Sequence, residues 1–189
     1  MDHYQDIKIL ADPEFPQSML MNALFAKLHR ALVQIKSNAI GISFPNVKGN
    51  TSKNLGDLFR LHGTAESLQN LEAQSWLRGM RDHVDATEVS PIPENVQFCR
   101  VKRVQSKSSA ERLRRRYLKR HDSVTEKDVV GMIPDSVEKR LELPFLQLKS
   151  ESTGQHFCLF IEHQAAQPNA VAGEFNSYGL SNKATVPWF

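Results

Sequence analysis

The sequence predicts an α+β protein. Short strands alternate with two amphipathic helices through the first half, and a basic helix precedes two further strands in the second. Three observations carry this. Apolar periodicity switches between about 2 and about 3.6 residues repeatedly before residue 105. Clusters of Pro, Asn, Asp and Gly punctuate the switches. The positive charge is local: residues 1–97 hold nine Lys+Arg against eleven Asp+Glu, whereas residues 98–120 hold ten against one.

Taken in order, Ile7 and Ile9 alternate in a strand over residues 4–10. A turn, Asp12-Pro-Glu-Phe-Pro16, follows. Residues 17–36 read as a helix with Leu20, Leu24, Leu28, Ala31 and Ile35 on one face. Ile40, Ile42 and Phe44 alternate in a second strand that Pro45 stops, and residues 46–54 are polar and loop-like. Phe59 and Leu61 mark a third strand. Thr64 caps a second helix bearing Leu68, Leu71, Trp76, Leu77 and Met80, and residues 96–105 read as the fourth strand. The order β-α-β-β-α-β is that of a ferredoxin-like domain. That fold hosts many functions, and the aromatic strand pattern of the commonest RNA-recognition domain is absent.

In residues 112–120, six of nine positions are Arg or Lys. Ser108 and Glu111 form a capping-box pattern before the run, and Leu113 and Tyr117 give it one narrow apolar stripe. This is a helix docked by one side with cations around the rest. Positive charge held in register points to a polyanion, most simply a nucleic-acid backbone. Residues 125–132 and 134–141 are short helical candidates. Phe145–Lys149 and His156–His163 read as strands joined by a turn, and residues 164–173 as loop. Trp76 and Trp188 read as core. The two cysteines, Cys99 and Cys158, lack CxxC partners and read as buried thiols rather than zinc ligands. No stretch resembles a signal peptide or a membrane span, which points to the cytoplasm.

There is no Gly-rich phosphate loop, and neither HExxH nor a carboxylate cluster offers a metal site. If the chain cuts RNA, the 2′-hydroxyl is the available nucleophile. A histidine suits the proton transfers, because its ordinary pKa is about 6.5. Seven histidines are present, and spacing alone does not choose among them. His29 lies at the edge of the first helix's apolar face, and His121 ends the basic helix.

Several segments are diagnostic together: Arg103-Val-Gln-Ser-Lys-Ser108, Glu111-Arg-Leu-Arg-Arg-Arg116, Lys119-Arg-His121, Ser152-Thr-Gly-Gln-His-Phe157, Ser177-Tyr-Gly-Leu-Ser181 and Val186-Pro-Trp-Phe189. With Met1-Asp-His-Tyr4 and Gly41-Ile-Ser-Phe-Pro45, they resemble the CRISPR repeat-processing endoribonuclease family of the type I-F (Csy) system, from end to end. The resemblance implies a ferredoxin-like domain at residues 1–95 carrying a catalytic histidine. It implies an RNA-binding domain with the arginine-rich helix at residues 96–189. The implied activity is cleavage at the base of a repeat-RNA stem-loop without metal or cofactor, leaving 2′,3′-cyclic phosphate and 5′-hydroxyl ends. The enzyme then stays on the product, with subunits of the type I-F interference complex as further partners, and is a monomer when free.

Residue by residue, the resemblance puts the general base on His29, the serine positioning the 2′-hydroxyl on Ser150, and the tyrosine orienting the histidine on Tyr178. Base reading falls on Arg103 and Gln105, whose donors suit guanine and adenine edges. Phe157 stacks near the cut, with Ser152 and Thr153 near the same phosphate. Backbone contacts fall on Lys107, Arg112, Arg115, Arg116, Lys119, Arg120 and His121. Lys119 stands where the family pattern has arginine, which keeps the charge but not the bidentate fork. Competing readings are a non-catalytic hairpin-binding subunit and a DNA-binding regulator using the same helix.

Overall fold

A computed structural model describes residues 1–49, 53–105, 110–121, 124–135, 141–151 and 153–189. The fold is mixed α and β, with antiparallel sheets. Two compact units form: Met1–Val104 with Leu143–Phe189, and Gln105–Glu142.

The larger unit opens with β1 (His3–Ile9), whose Gln5, Ile7 and Ile9 point inward. Asp12 Oδ1 accepts the backbone N–H groups of Glu14 and Phe15, 2.8 and 2.9 Å away, closing the predicted turn. Helix α1 (Gln17–Ile35) buries Leu20, Leu24, Phe25, Leu28 and Leu32 on one face. Then follow β2 (Gly41–Ser43), β3 (Leu58–Gly63) and α2 (Ala65–Glu72). Thr64 caps α2: its Oγ1 accepts the Ser67 N–H at 3.1 Å, while Ser67 Oγ accepts the Thr64 N–H at 2.9 Å. This helix stops at Glu72, sooner than predicted. Residues 73–80 turn instead, yet they still bury Trp76 and Met80.

The next strands are β4 (Val84–Ala86) and β5 (Ser90–Pro91), then β6 (Gln97–Cys99) and β7 (Val101–Val104). The first sheet has the order β2-β3-β1-β4, with β5 also on β1 and every pairing antiparallel. The fourth strand of this sheet is therefore β4, not residues 96–105. Leu10 N–H bonds the His83 carbonyl at 2.9 Å, so the chain meets the free edge of β1 as soon as it leaves a 3₁₀ turn at Arg81–His83. Val84 alone is buried in so short a strand, leaving no alternation to read.

Residues 97–104 find partners far downstream. After β8 (Phe145–Lys149), β9 (His156–His163) and β10 (Val186–Trp188), β6 pairs with β10. Strand β7 joins β9 and β8 in a three-stranded sheet of order β7-β9-β8. One apolar core spans the unit, with Ile7, Phe25, Leu28 and Phe59 in the same cluster as Leu146, Leu159 and Ile161. Fully burying each such side chain contributes roughly 1.5–3 kcal/mol.

In the second unit, α3 (Ala110–Leu118) packs on α4 (Glu126–Met132). Ala110 is buried and Leu113 and Tyr117 are half-buried on one side of α3, while Val129 of α4 is fully buried. Ser108, the predicted N-cap, and most of the candidate helix at 134–141 lie outside the described residues.

Candidate functional site

His29 lies one turn beyond the fully buried Phe25 on α1, so the core that fixes Phe25 also sets the direction of the imidazole. Opposite it runs the turn at residues 176–180. Asn176 Oδ1 accepts the N–H groups of Tyr178 and Leu180 at 2.9 and 3.2 Å. Gly179 sits at φ +70°, where a Cβ would lie 2.6 Å from Ile42 Cγ2. Its carbonyl accepts the Ile42 N–H at 3.0 Å, which clips the turn to β2.

This turn presents two groups to His29. The Tyr178 ring lies parallel to the imidazole, with centroids 4.1 Å apart and planes within 10°. The Ser177 carbonyl lies 2.8 Å from His29 Nδ1. A carbonyl oxygen can only accept, so Nδ1 carries the hydrogen. In the neutral ring Nε2 is then the nitrogen with the lone pair, free to take a proton.

Ser150 follows β8 at the start of the tight turn into β9. Its N–H donates to the Gln155 carbonyl at 2.9 Å, its carbonyl accepts from Gly154 N–H at 2.8 Å, and its Oγ accepts from Thr153 N–H at 3.3 Å. His29, Ser150, Tyr178 and Phe157 line one cavity of about 280 Å³. Its charged lining is Arg30, Lys149 and Glu151, two cations against one anion. Arg30 and Glu151 face each other at 3.7 Å, and both are exposed, so the pair is weak and either partner can turn to a ligand. These three flank His29 and Ser150 in the chain, the only sequence signal for them. The Ser177 carbonyl had none, because a backbone group leaves no mark on composition.

The other histidines have different surroundings. His83 pairs with Asp12 at 2.9 Å, and His3 with Asp2 at 3.0 Å. His62 is fully buried against Ser43 Oγ at 2.8 Å, and burial pushes its pKa down to about 3. His163 accepts the Phe44 N–H at 3.2 Å, and burial lowers it to about 4. The His121 ring lies 4.3 Å from that of Tyr117, tilted by 36°, and His156 is exposed at the start of β9.

Arg103 lies on the edge strand β7, its guanidinium 5.9 Å from the centroid of the Phe157 ring. Its Nε is buried with no hydrogen-bond partner among the described residues. Thr153 is exposed in the β8–β9 turn. Gln105 and the cations Arg112, Arg115, Arg116, Lys119 and Arg120 belong to the second unit and are exposed, as is His121. Lys107 and Ser152 lie outside the described residues. Cys99 is buried, its thiol donating to the Gln164 carbonyl at 3.1 Å, and burial raises its pKa to about 11. Cys158 is exposed, contrary to expectation: it alternates with the inward-facing Leu159 on β9 and so takes the outer face. Among the described residues no helix is long and apolar enough to cross a membrane.

The chain matches the family model of the CRISPR-associated protein (Cas_Csy4) over residues 4–189. It belongs to the Cas_Csy4 family. Two relatives are named CRISPR-associated endonuclease Cas6/Csy4. One, from Pseudomonas aeruginosa (strain UCBPP-PA14), is 48% identical over 189 residues, and the other, from Escherichia coli (strain UTI89 / UPEC), is 47% identical over the same length. Each match covers all of both chains. The Cas_Csy4 match thus takes in both compact units, the His29 cavity and the arginine-rich helix alike.

Proposed function

We propose that this chain is an endoribonuclease that binds the stem-loop of CRISPR repeat RNA and cuts at the base of the stem. One observation carries the reading: His29 is held by a backbone acceptor on Nδ1 and a parallel ring on its face, with Nε2 as the lone-pair nitrogen in a cavity shared with Ser150. In the first step Nε2 takes the proton of the 2′-hydroxyl, which Ser150 positions. The 2′-oxygen forms a bond to phosphorus as the bond to the 5′-oxygen breaks, and the imidazolium formed on His29 returns its proton to that leaving oxygen. The products are a 2′,3′-cyclic phosphate and a 5′-hydroxyl. General acid–base help of this kind supplies roughly 10²–10⁴-fold. Every proton is handled by protein and substrate groups, so the reaction needs no metal or cofactor.

The reading assigns the chemistry to residues 1–95 with Ser150 and Tyr178, and RNA recognition chiefly to residues 96–189. The antiparallel order β2-β3-β1-β4 around α1 and α2 supports a ferredoxin-like arrangement for the first part. Arg103 with Gln105 reads the lowest base pairs, Phe157 stacks near the cut, Ser152 and Thr153 hold the phosphate there, and Lys107, Arg112, Arg115, Arg116, Lys119, Arg120 and His121 hold the stem backbone. Retention on the product and assembly with type I-F interference subunits belong to the same reading. So does its competitor, a hairpin-binding subunit without activity.

The test is one repeat hairpin in two forms, all-ribose and with 2′-deoxyribose on the nucleotide 5′ of the cut. The ribose form is cut, also in EDTA, and the deoxy form is bound but intact. His29→Ala abolishes cleavage and leaves hairpin affinity within about threefold, because no stem contact is assigned to it. Cleavage surviving that substitution overturns the assignment of His29, and an uncut ribose hairpin favours the inactive subunit.

A further inference from the structure

The face of α1 that carries His29 continues past Ala26, where the lining of the His29 cavity stops. Ser18, Asn22, Ala26 and His29 lie on one face of α1, at spacings of three or four residues. Against that face runs β8, from Phe145 to Lys149. The seam between them holds a second groove of about 340 Å³, towards the start of α1, lined by Ser18, Asn22, Lys53, Phe145 and Gln147 among others. Asn22 and His29 are seven residues apart, about 10 Å along a helix, a distance that an extended nucleic-acid strand crosses in a couple of nucleotides.

The chemistry of this groove suits a strand rather than a small acid or a cation. Its lining carries one charge, Lys53, and no carboxylate. Asn22 Oδ1 already accepts the Gln147 backbone N–H at 3.0 Å, so the amide end left to a ligand is its NH₂ donor. Gln147 and Lys53 are exposed, and their side-chain heads have no partners among the described residues. Phe145, half-buried at the start of β8, offers a ring to a base. A cation, amides with both donors and acceptors, and an aromatic edge are what a single strand uses for its phosphate, base edges and base face.

We propose that this groove holds the single-stranded RNA on the 3′ side of the cut, the segment that departs with the 5′-hydroxyl. Lys53 meets a phosphate, and Asn22 and Gln147 meet a base edge. The proposal rests on the cleavage reading above. It adds a second binding segment that the uncut precursor has and the product hairpin lacks. The groove therefore tightens the substrate without holding the product.

The experiment compares hairpins that all carry 2′-deoxyribose 5′ of the cut: one ending at the cut, one extended by several nucleotides on the 3′ side, one extended on the 5′ side. The 3′ extension strengthens binding by the wild-type protein by about five- to tenfold. In Lys53→Ala/Gln147→Ala that gain falls to about twofold or less, while affinity for the unextended hairpin is unchanged. Both positions are exposed, so the fold tolerates the change. A 3′ gain that survives the double substitution, no gain at all, or a gain on the 5′ side instead each overturns the groove assignment. The unextended hairpin keeps the two readings separable, since failure to bind it in wild type refutes the hairpin function, not the groove.

Discussion

Tyr178 meets His29 through its ring face, with the Ser177 carbonyl supplying the polar contact. The same ring lies parallel to that of Phe25, 6.2 Å away, so Tyr178 packs against both the core and the imidazole. In the proposed mechanism its hydroxyl is therefore dispensable and its plane is not. Tyr178→Phe keeps the single-turnover cleavage rate within about threefold, whereas Tyr178→Ala lowers it by roughly 10–100-fold with hairpin affinity nearly unchanged. Equal losses in the two variants would show that the hydroxyl matters after all. At this scale the sequence was only partly legible. It narrowed the candidates to seven histidines, and the family resemblance selected His29. The bond that sets its tautomer comes from a carbonyl 148 residues away, which no local spacing encodes.

Among the elements, α3 divides its cations by what they touch. Arg114 donates to the Ile133 carbonyl at 2.9 Å and to Asp135 at 2.8 Å, so it ties the helix to the chain after α4. Arg115, Arg116, and Lys119 and Arg120 just past the helix, are exposed, and in the proposed reading they meet phosphates. With four such contacts, the slope of log affinity against log salt for the hairpin is about −3 to −3.5, at roughly 0.7–0.9 per phosphate. Arg115→Ala reduces its magnitude by about one, and Arg114→Ala leaves it unaltered while lowering the melting temperature. A salt titration with thermal melts reads both, and a changed slope in Arg114→Ala contradicts the division. The docked stripe of α3 was legible because Leu113 and Tyr117 obey helical spacing. Strand β4 was not, because one buried valine shows no period and its pairing depends on the edge of β1.

The molecule as a whole carries two imidazoles shielded from water, His62 fully buried and His163 half-buried. His62 and His163 are neutral in the fold, held well below the ordinary value by burial. In the unfolded chain they take up protons below about pH 6.5. Between there and their folded values the unfolded state binds more protons, so stability is full above pH 6.5 and falls as the pH drops through this window. His62 alone contributes a loss of about 2 kcal/mol by pH 5, and His163 acts in the same direction. Urea unfolding at pH 7 and pH 5 measures this, and His62→Gln removes about half of the difference. A flat profile between those values contradicts it.

The sequence by itself determined the mixed class, α1 with its apolar face, the capped start of α2, the docked basic helix and, through its motifs, the family. These rest on local periodicity, capping chemistry and residue order, all readable along the chain. Only the tertiary structure decided which strand closes the first sheet, that Cys158 faces outward, that Arg114 is structural, and that His29, Ser150 and Tyr178 share one cavity. Those outcomes depend on contacts between residues far apart in the chain. Burial of a common core brings such residues together, and hydrogen bonds from backbone groups then fix them.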